Sequence, residues 1–197
     1  MLGGQLTVDG VALETRTGPL QARQVLIACG AHSAALTRSL TGRKVPLDTE
    51  RGYHLMLPNE TGRLPFAVTS LERRFIMTPL TGGLRLAGTV EFAGLERAAN
   101  MARAWQLLRL TEGLFQEALN TEGASPWMGF RPSLPDSLPV IDRVEGGRVL
   151  LAFGHQHLGL TQAAVTAELI AELAAPAQGE AHASTLPPRA AYALGRF

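Results

Sequence analysis

The chain has 197 residues, 46% of them hydrophobic and 18% charged, with a formal net charge of +1 at pH 7. That length fits one ordinary domain or two small ones and is enough to bury a sizeable core. The near-neutral balance offers no basic excess to grip a nucleic acid, the single cysteine excludes an internal disulfide and a thiolate zinc cluster, and no run approaches the ~18 apolar residues of a membrane span.

Residues 5–8 and 11–16 alternate in polarity on either side of Asp9-Gly10, a strong hairpin signal. After Gly18-Pro19, residues 24–29 are almost wholly apolar, the pattern of a central strand buried on both faces. On that strand Cys29 reads as a small core residue rather than a reactive thiol. Residues 31–40 take helical spacing, with His32 or Ser33 as the cap. Residues 45–57, 66–70, 74–80 and 83–90 read as strands parted by Pro, Gly and Asn, an antiparallel block. Helical spacing over 95–119 places Trp105, Leu108, Leu114, Phe115 and Leu119 near one face, with a weak point at Gly113. Pro126, Pro132, Pro135 and Pro139 keep 125–142 extended or looped. Residues 148–153 form another buried-type strand, 154–159 a glycine-bracketed loop and 161–173 an amphipathic helix, which together make a βα unit. From 174 onward, small and helix-breaking residues predict a loose tail as far as the final Arg-Phe. No internal repeat is present.

Two stretches carry chemistry. In Gly129-Phe130-Arg131-Pro132, followed by Asp136 and Pro139, an arginine sits on a stiff backbone that cannot be helical. Such a planar fork suits a bidentate grip on a carboxylate. The alternative is that Arg131 pairs with Asp136 or caps a neighbouring carbonyl. In Gly154-His155-Gln156-His157-Leu158-Gly159-Leu160-Thr161, glycines at both ends let a ligand approach the backbone, and the helix start that follows favours an anionic group. A metal site at His155 and His157 is the rival there. It is disfavoured because an extended backbone would point the two rings apart and no acidic or thiol ligand stands nearby. Tyr53 and His54 compete for a pocket wall, since strand alternation lets only one of them point inward. Tyr53 is the choice, with ordinary interfacial packing as its alternative. No residue is assigned a catalytic role, and none a metal.

The order Gly-Phe-Arg-Pro, Asp, Pro, a strand, then Gly-His-x-His-Leu-Gly-Leu-Thr and a helix resembles the C-terminal part of the D-amino-acid oxidase superfamily of FAD-dependent oxidoreductases. It is nearest to the bacterial D-amino-acid dehydrogenases and their hydroxyproline- and glycine-oxidising relatives. The likeness begins upstream, where Ala28-Cys29-Gly30-Ala31-His32-Ser33 is similar to the end of a family FAD-domain strand. It continues through Arg51-Gly52-Tyr53, where the chain enters a substrate domain, and reaches the terminal Arg196-Phe197. The resemblance implies a mixed α/β and α+β fold, with an incomplete FAD-binding α/β domain and an antiparallel-sheet substrate domain. The domain bounds it implies are 1–45 and 125–197 for the former, including the tail, and 46–124 for the latter.

It also implies hydride transfer from the α-carbon of a D-amino acid or related amino or imino acid to FAD. Arg131, Tyr53 and His157 would bind substrate, and Gly30, Gly154, His155, Gly159, Leu160 and Thr161 would contact the cofactor. The family's G-x-G-x-x-G turn is absent, since Gly3-Gly4 follows no strand and Gly82-Gly83 opens no βαβ unit. The chain is therefore expected to be a fragment or one half of a split enzyme, pairing with an N-terminal FAD-binding half. Its setting is expected to be cytoplasmic or peripheral to the inner membrane. A silent module whose sheet edge docks on a partner chain is the alternative. Asp142 and Gln156 stand where relatives often carry glycine, so crowding of the ring or a strained positive φ is expected there.

Overall fold

The computed structural model describes residues 3–175 and 188–197. The chain divides into two units, one built from residues up to Asp48 and from Arg131 onward, the other from Thr49–Phe130.

The first unit opens with β1 (Gly3–Leu6), β2 (Val11–Thr15) and β3 (Gly18–Ala22), paired antiparallel in that order. The expected hairpin forms, and Thr7 N–H closes its turn on the Gly10 carbonyl at 2.9 Å. A third strand follows where Gly18-Pro19 was read only as a break. Pro19 lacks a donor but lies on an edge strand, where none is needed.

The stretch expected as a central strand is only β4 (Val25–Ile27), at the edge of a second, three-stranded sheet. Leu26 stays 45% exposed and Cys29 is exposed, so neither the two-sided burial nor the core role of the thiol holds. The physical reason is the missing second neighbour: apolar content marks what a strand could bury, not what covers it.

A short 3-10 turn at Gly30–His32 leads into α1 (Ser33–Thr41). His32 makes no capping bond with its side chain, whereas the Ser33 hydroxyl receives the Cys29 N–H at 3.1 Å. Far along the chain, β10 (Val140–Val144) pairs antiparallel with β11 (Val149–Phe153), and β11 pairs parallel with β4. The helix α3 (Ala163–Ala174) then packs on β10 and β11 through Leu169 and Leu173, completing the βα unit. The main core of this unit gathers Val11, Ile27, Leu40, Leu134, Val140, Leu151, Phe153 and Leu194. Much of the tail expected to be loose lies outside the described residues. Residues 188–197, in contrast, form two short 3-10 turns with Leu194 buried.

The second unit is built on an antiparallel run of β6 (Val68–Ser70), β7 (Phe75–Leu80), β8 (Gly83–Phe92) and β5 (Asp48–Leu57). At its edge comes β9 (Ser125–Ser133), whose Pro126 and Pro132 are tolerated because an edge strand leaves half its backbone unpaired. Gly83 makes the tight β7–β8 turn at φ +126°, where a β-carbon would strike the Leu57 carbonyl. Strict alternation along β5 buries Thr49, Arg51, Tyr53, Leu55 and Leu57 and leaves His54 and Met56 half-buried on the other face.

The long helix expected over 95–119 is only α2 (Ala102–Arg109). Upstream, the carbonyls of Ala93, Gly94 and Ala98 are spent on the Arg51 guanidinium, so they are not available to a helix. Downstream, the chain tightens into short turns such as Thr111 N–H on Leu108 O at 3.0 Å, and Gly113 takes φ +75°. Leu108, Phe115 and Leu119 still reach the core, and Trp105 and Leu114 each stay 41% exposed.

Candidate functional site

Arg131 opens the second pass through the first unit and is half-buried with Pro132 and Ser133. The Asp136 carboxylate, weighed above as its partner, is taken by Arg196, with Nε at 2.6 Å from Oδ2 and Nη2 at 3.4 Å from Oδ1. The Arg196 guanidinium beside it holds Asp136 below the usual carboxylate range. Residues 134–137 form a tight turn, Ser137 N–H on Leu134 O at 3.0 Å, with Ser137 at φ +63°.

This segment lies against the glycine-bracketed turn. The Gln156 N–H donates to the Pro132 carbonyl at 3.0 Å, and a β-carbon on Gly154 would collide with the Leu134 side chain. Gly154 is buried at φ +85°, so glycine is required there for both conformation and space. Gln156 takes φ +51°, the strained conformation expected of a non-glycine residue at that place. The turn is therefore not extended, and the separation of the two histidines has a different cause. His155 turns inward, with Nε2 at 3.0 Å from the Thr166 hydroxyl, and burial lowers its pKa below the usual imidazole range. His157 is exposed. Among the described residues no three His, Cys, Asp or Glu side chains gather as metal ligands.

Beyond the turn, Gly159, Leu160 and Thr161 are all exposed, Leu160 at 93%. The α3 start carries no side-chain cap on its first amides. Gly30, at φ +54°, has open space where a β-carbon would stand.

Asp142 does not crowd this surface. Its Oδ2 accepts the Leu194 N–H at 2.8 Å and its Oδ1 the Arg143 N–H at 2.7 Å, so the carboxylate is turned to the closing segment of the chain.

Tyr53 faces the core of the second unit at 2% exposure, its hydroxyl donating to Glu91 Oε2 at 2.6 Å and accepting the Asn100 N–H at 3.2 Å. Its ring is buried and its hydroxyl satisfied within the second unit, and His54 lies on the other face of β5. There His54 stacks on Trp127 with ring centroids 4.7 Å apart, and burial, then the charge of Arg85, lower its pKa. Sequence reading missed the Arg51 clasp on Ala93, Gly94 and Ala98. Its signal was available: an arginine in phase with Thr49, Tyr53, Leu55 and Leu57 must be buried and must therefore find acceptors.

Solved structures share the fold. Glycine oxidase from Geobacillus kaustophilus superposes with a TM-score of 0.78 at 22% identity, over 99% of this chain and 51% of that one. The L-α-glycerophosphate oxidase of Mycoplasma pneumoniae, solved with FAD bound, superposes at 0.67 with 18% identity, over 95% and 53%. These likenesses establish a fold shared with those two oxidases. Sequence narrows it further: the chain belongs to the DAO family of FAD-dependent oxidoreductases, whose model matches residues 4–173. It is 41% identical to a D-amino-acid oxidase of Bradyrhizobium diazoefficiens over 86% of this chain and 41% of that protein. It is 33% identical to an uncharacterized oxidoreductase in the pyp 5' region of Halorhodospira halophila, over 100% of this chain and 88% of that one. The chain spans about two fifths of the D-amino-acid oxidase and dehydrogenase relatives it matches.

The residues present fit the ring end of FAD. Exposed Gly159 and Leu160, a helix start without a side-chain cap and the open space at Gly30 are each compatible with a flat, electron-rich ring edge. Gly3 and Gly4 lie inside β1 and Gly82 and Gly83 in a hairpin, so neither pair forms a pyrophosphate turn.

Proposed function

We propose that this chain supplies the substrate-carboxylate anchor and the flavin-ring contact of an FAD-dependent oxidoreductase acting on a D-amino acid or a related amino or imino acid. The observation that carries the reading is the pairing of Gln156 N–H with the Pro132 carbonyl, which ties the Arg131 segment to the turn before α3. In this reading Arg131 grips the substrate carboxylate with its planar fork. Gly154, His155, Gly159, Leu160 and Thr161, with Gly30, lie along the cofactor ring, and His157 approaches the substrate from the exposed side of the turn. FAD, when bound, accepts the hydride lost from the substrate's α-carbon. The protein's part is to orient the carboxylate and to stabilise charge at the ring edge through the positive end of the α3 dipole. His155 holds the turn through Thr166.

A partner half carrying the dinucleotide turn belongs to the same reading, because neither glycine pair of this chain makes one. A reducing, cytoplasmic setting suits the single exposed cysteine. No helix among the described residues is long and apolar enough to cross a membrane. Membership of the oxidoreductase family favours this reading over a silent docking module.

The test is co-expression with an N-terminal half from a relative. The complex should copurify yellow and oxidise D-alanine. An Arg131→Lys exchange should raise KM by about tenfold while leaving the flavin bound. A colourless complex would sink the proposal.

A further inference from the structure

Residues 134–139 are poor in backbone pairing, yet they carry the chain from Arg131 into β10. Their fixed points are side chains. Asp136 Oδ1 accepts the Leu138 N–H at 3.1 Å, closing the segment on itself. Arg196 then binds it from outside, with Nε and Nη2 on the Asp136 carboxylate and Nη2 also on the Leu138 carbonyl at 2.7 Å. Its third nitrogen, Nη1, rests on Ala193 O at 3.1 Å, and the Phe197 ring covers the guanidinium at 4.4 Å. Two residues earlier, buried Leu194 joins the core of Leu134, Val140 and Phe153 while its N–H is held by Asp142. The closing segment thus grips the strap at Asp136 and Leu138, and β10 at Asp142. On its inner side Leu134 packs into that core and against Gly154, and just before the strap the Pro132 carbonyl accepts the Gln156 N–H.

We propose that residues 194–197 are a clasp that positions the strap following Arg131 against the 154–158 turn, with Arg196 as the positioning residue. A guanidinium spent on a carboxylate, a strap carbonyl and its own chain fixes three points at once. That rigidity is what a carboxylate-binding fork needs from the backbone beside it. The consequence for substrate affinity rests on the function proposed for Arg131; the clasp itself does not.

The test is hydrogen exchange on the full chain, comparing Arg196→Ala, Arg196→Lys and Asp136→Asn with the unaltered protein, alongside calorimetric titration with D-alanine. Arg196→Ala should speed exchange at the Leu138 and Gln156 amides by about tenfold or more while the β1–β3 amides are unchanged. D-Alanine affinity should fall by about tenfold, with lysine restoring part of it as a charge without a fork. If Arg196→Ala fails to fold, Asp136→Asn, which keeps the side chain's size, decides the same question. Unchanged exchange at Leu138 and Gln156 in a folded variant overturns the clasp. If the unaltered chain, complexed with its FAD-binding half, takes no D-alanine, the reading of Arg131 fails, and the exchange rates still decide the clasp.

Discussion

Each unit of the molecule contains an arginine that binds backbone carbonyls, and the two differ in depth. Arg51 in the second unit is fully buried, reaching Gly94 O at 2.7 Å, Ala93 O at 3.3 Å and Ala98 O at 3.4 Å, with Glu91 at 3.8 Å and the Phe130 ring at 5.4 Å. Arg196 in the first unit keeps 14% of its side chain exposed and holds a carboxylate that is 34% exposed. The same fork therefore performs two tasks. Arg51 gathers the carbonyls of the loop that follows β8 into the interior, whereas Arg196 ties a surface strap that remains open to solvent. Burial decides what loss of each one costs, because a buried acceptor that loses its donor cannot turn to water.

The largest effect is expected at Arg51. Arg51→Leu leaves the Ala93, Gly94 and Ala98 carbonyls without their donor and removes a charge near Glu91, and should cost about 3–5 kcal/mol, read as a lower urea midpoint at unchanged slope. A loss below about 1 kcal/mol would remove the contrast between the two clasps. Next is Gly154→Ala, which drives a methyl into Leu134 at φ +85° and should cost about 1–3 kcal/mol in the same assay. Gln156→Gly goes the other way, since relief of the strain at φ +51° outweighs the entropy of glycine, for a gain of about 0.5–1 kcal/mol.

The surface clasp should also respond to acid. Asp136 has a folded pKa depressed below its ordinary 3.8, chiefly by Arg196. Its contribution is then complete above the unfolded pKa and disappears as pH falls through the folded one. Exchange at the Leu138 amide, after correction for intrinsic rate, should rise only in that acid window, and Asp136→Asn should abolish the dependence. The smallest effect is expected at Glu117, 85% exposed and 4.0 Å from Arg63, where Glu117→Gln should leave the urea midpoint unmoved.

The sequence displayed what is local. Alternation marked β5 through β8 to within a few residues, and the glycine bracket marked the turn before α3, because both are read from consecutive side chains. The Gln156 strain was also visible as a residue out of place. What sequence hid was set at a distance. The helical spacing of 95–119 was overridden by Arg51 drawing carbonyls from the chain more than forty residues on. Cys29 appeared to be core because its neighbours are apolar, but burial depended on a strand pairing that β4 has on one side only. At the candidate site Arg131 and the turn were each legible, and their junction through Pro132 O and Gln156 was not. The partner of Asp136 lay 60 residues away, near the last residue, beyond the reach of any local pattern.

The parallel pairing of β4 with β11 has a consequence for biogenesis. Gln24 and its acceptor Gly147 are 123 residues apart, so during synthesis β4 emerges long before the strand it joins. The intervening segment Thr49–Phe130 is contiguous and can complete its own sheet on the ribosome, while only the β1–β3 meander is open to the residues ahead of it. The two local sheets can thus form before the β4–β11 junction, which waits for the far end of the first unit.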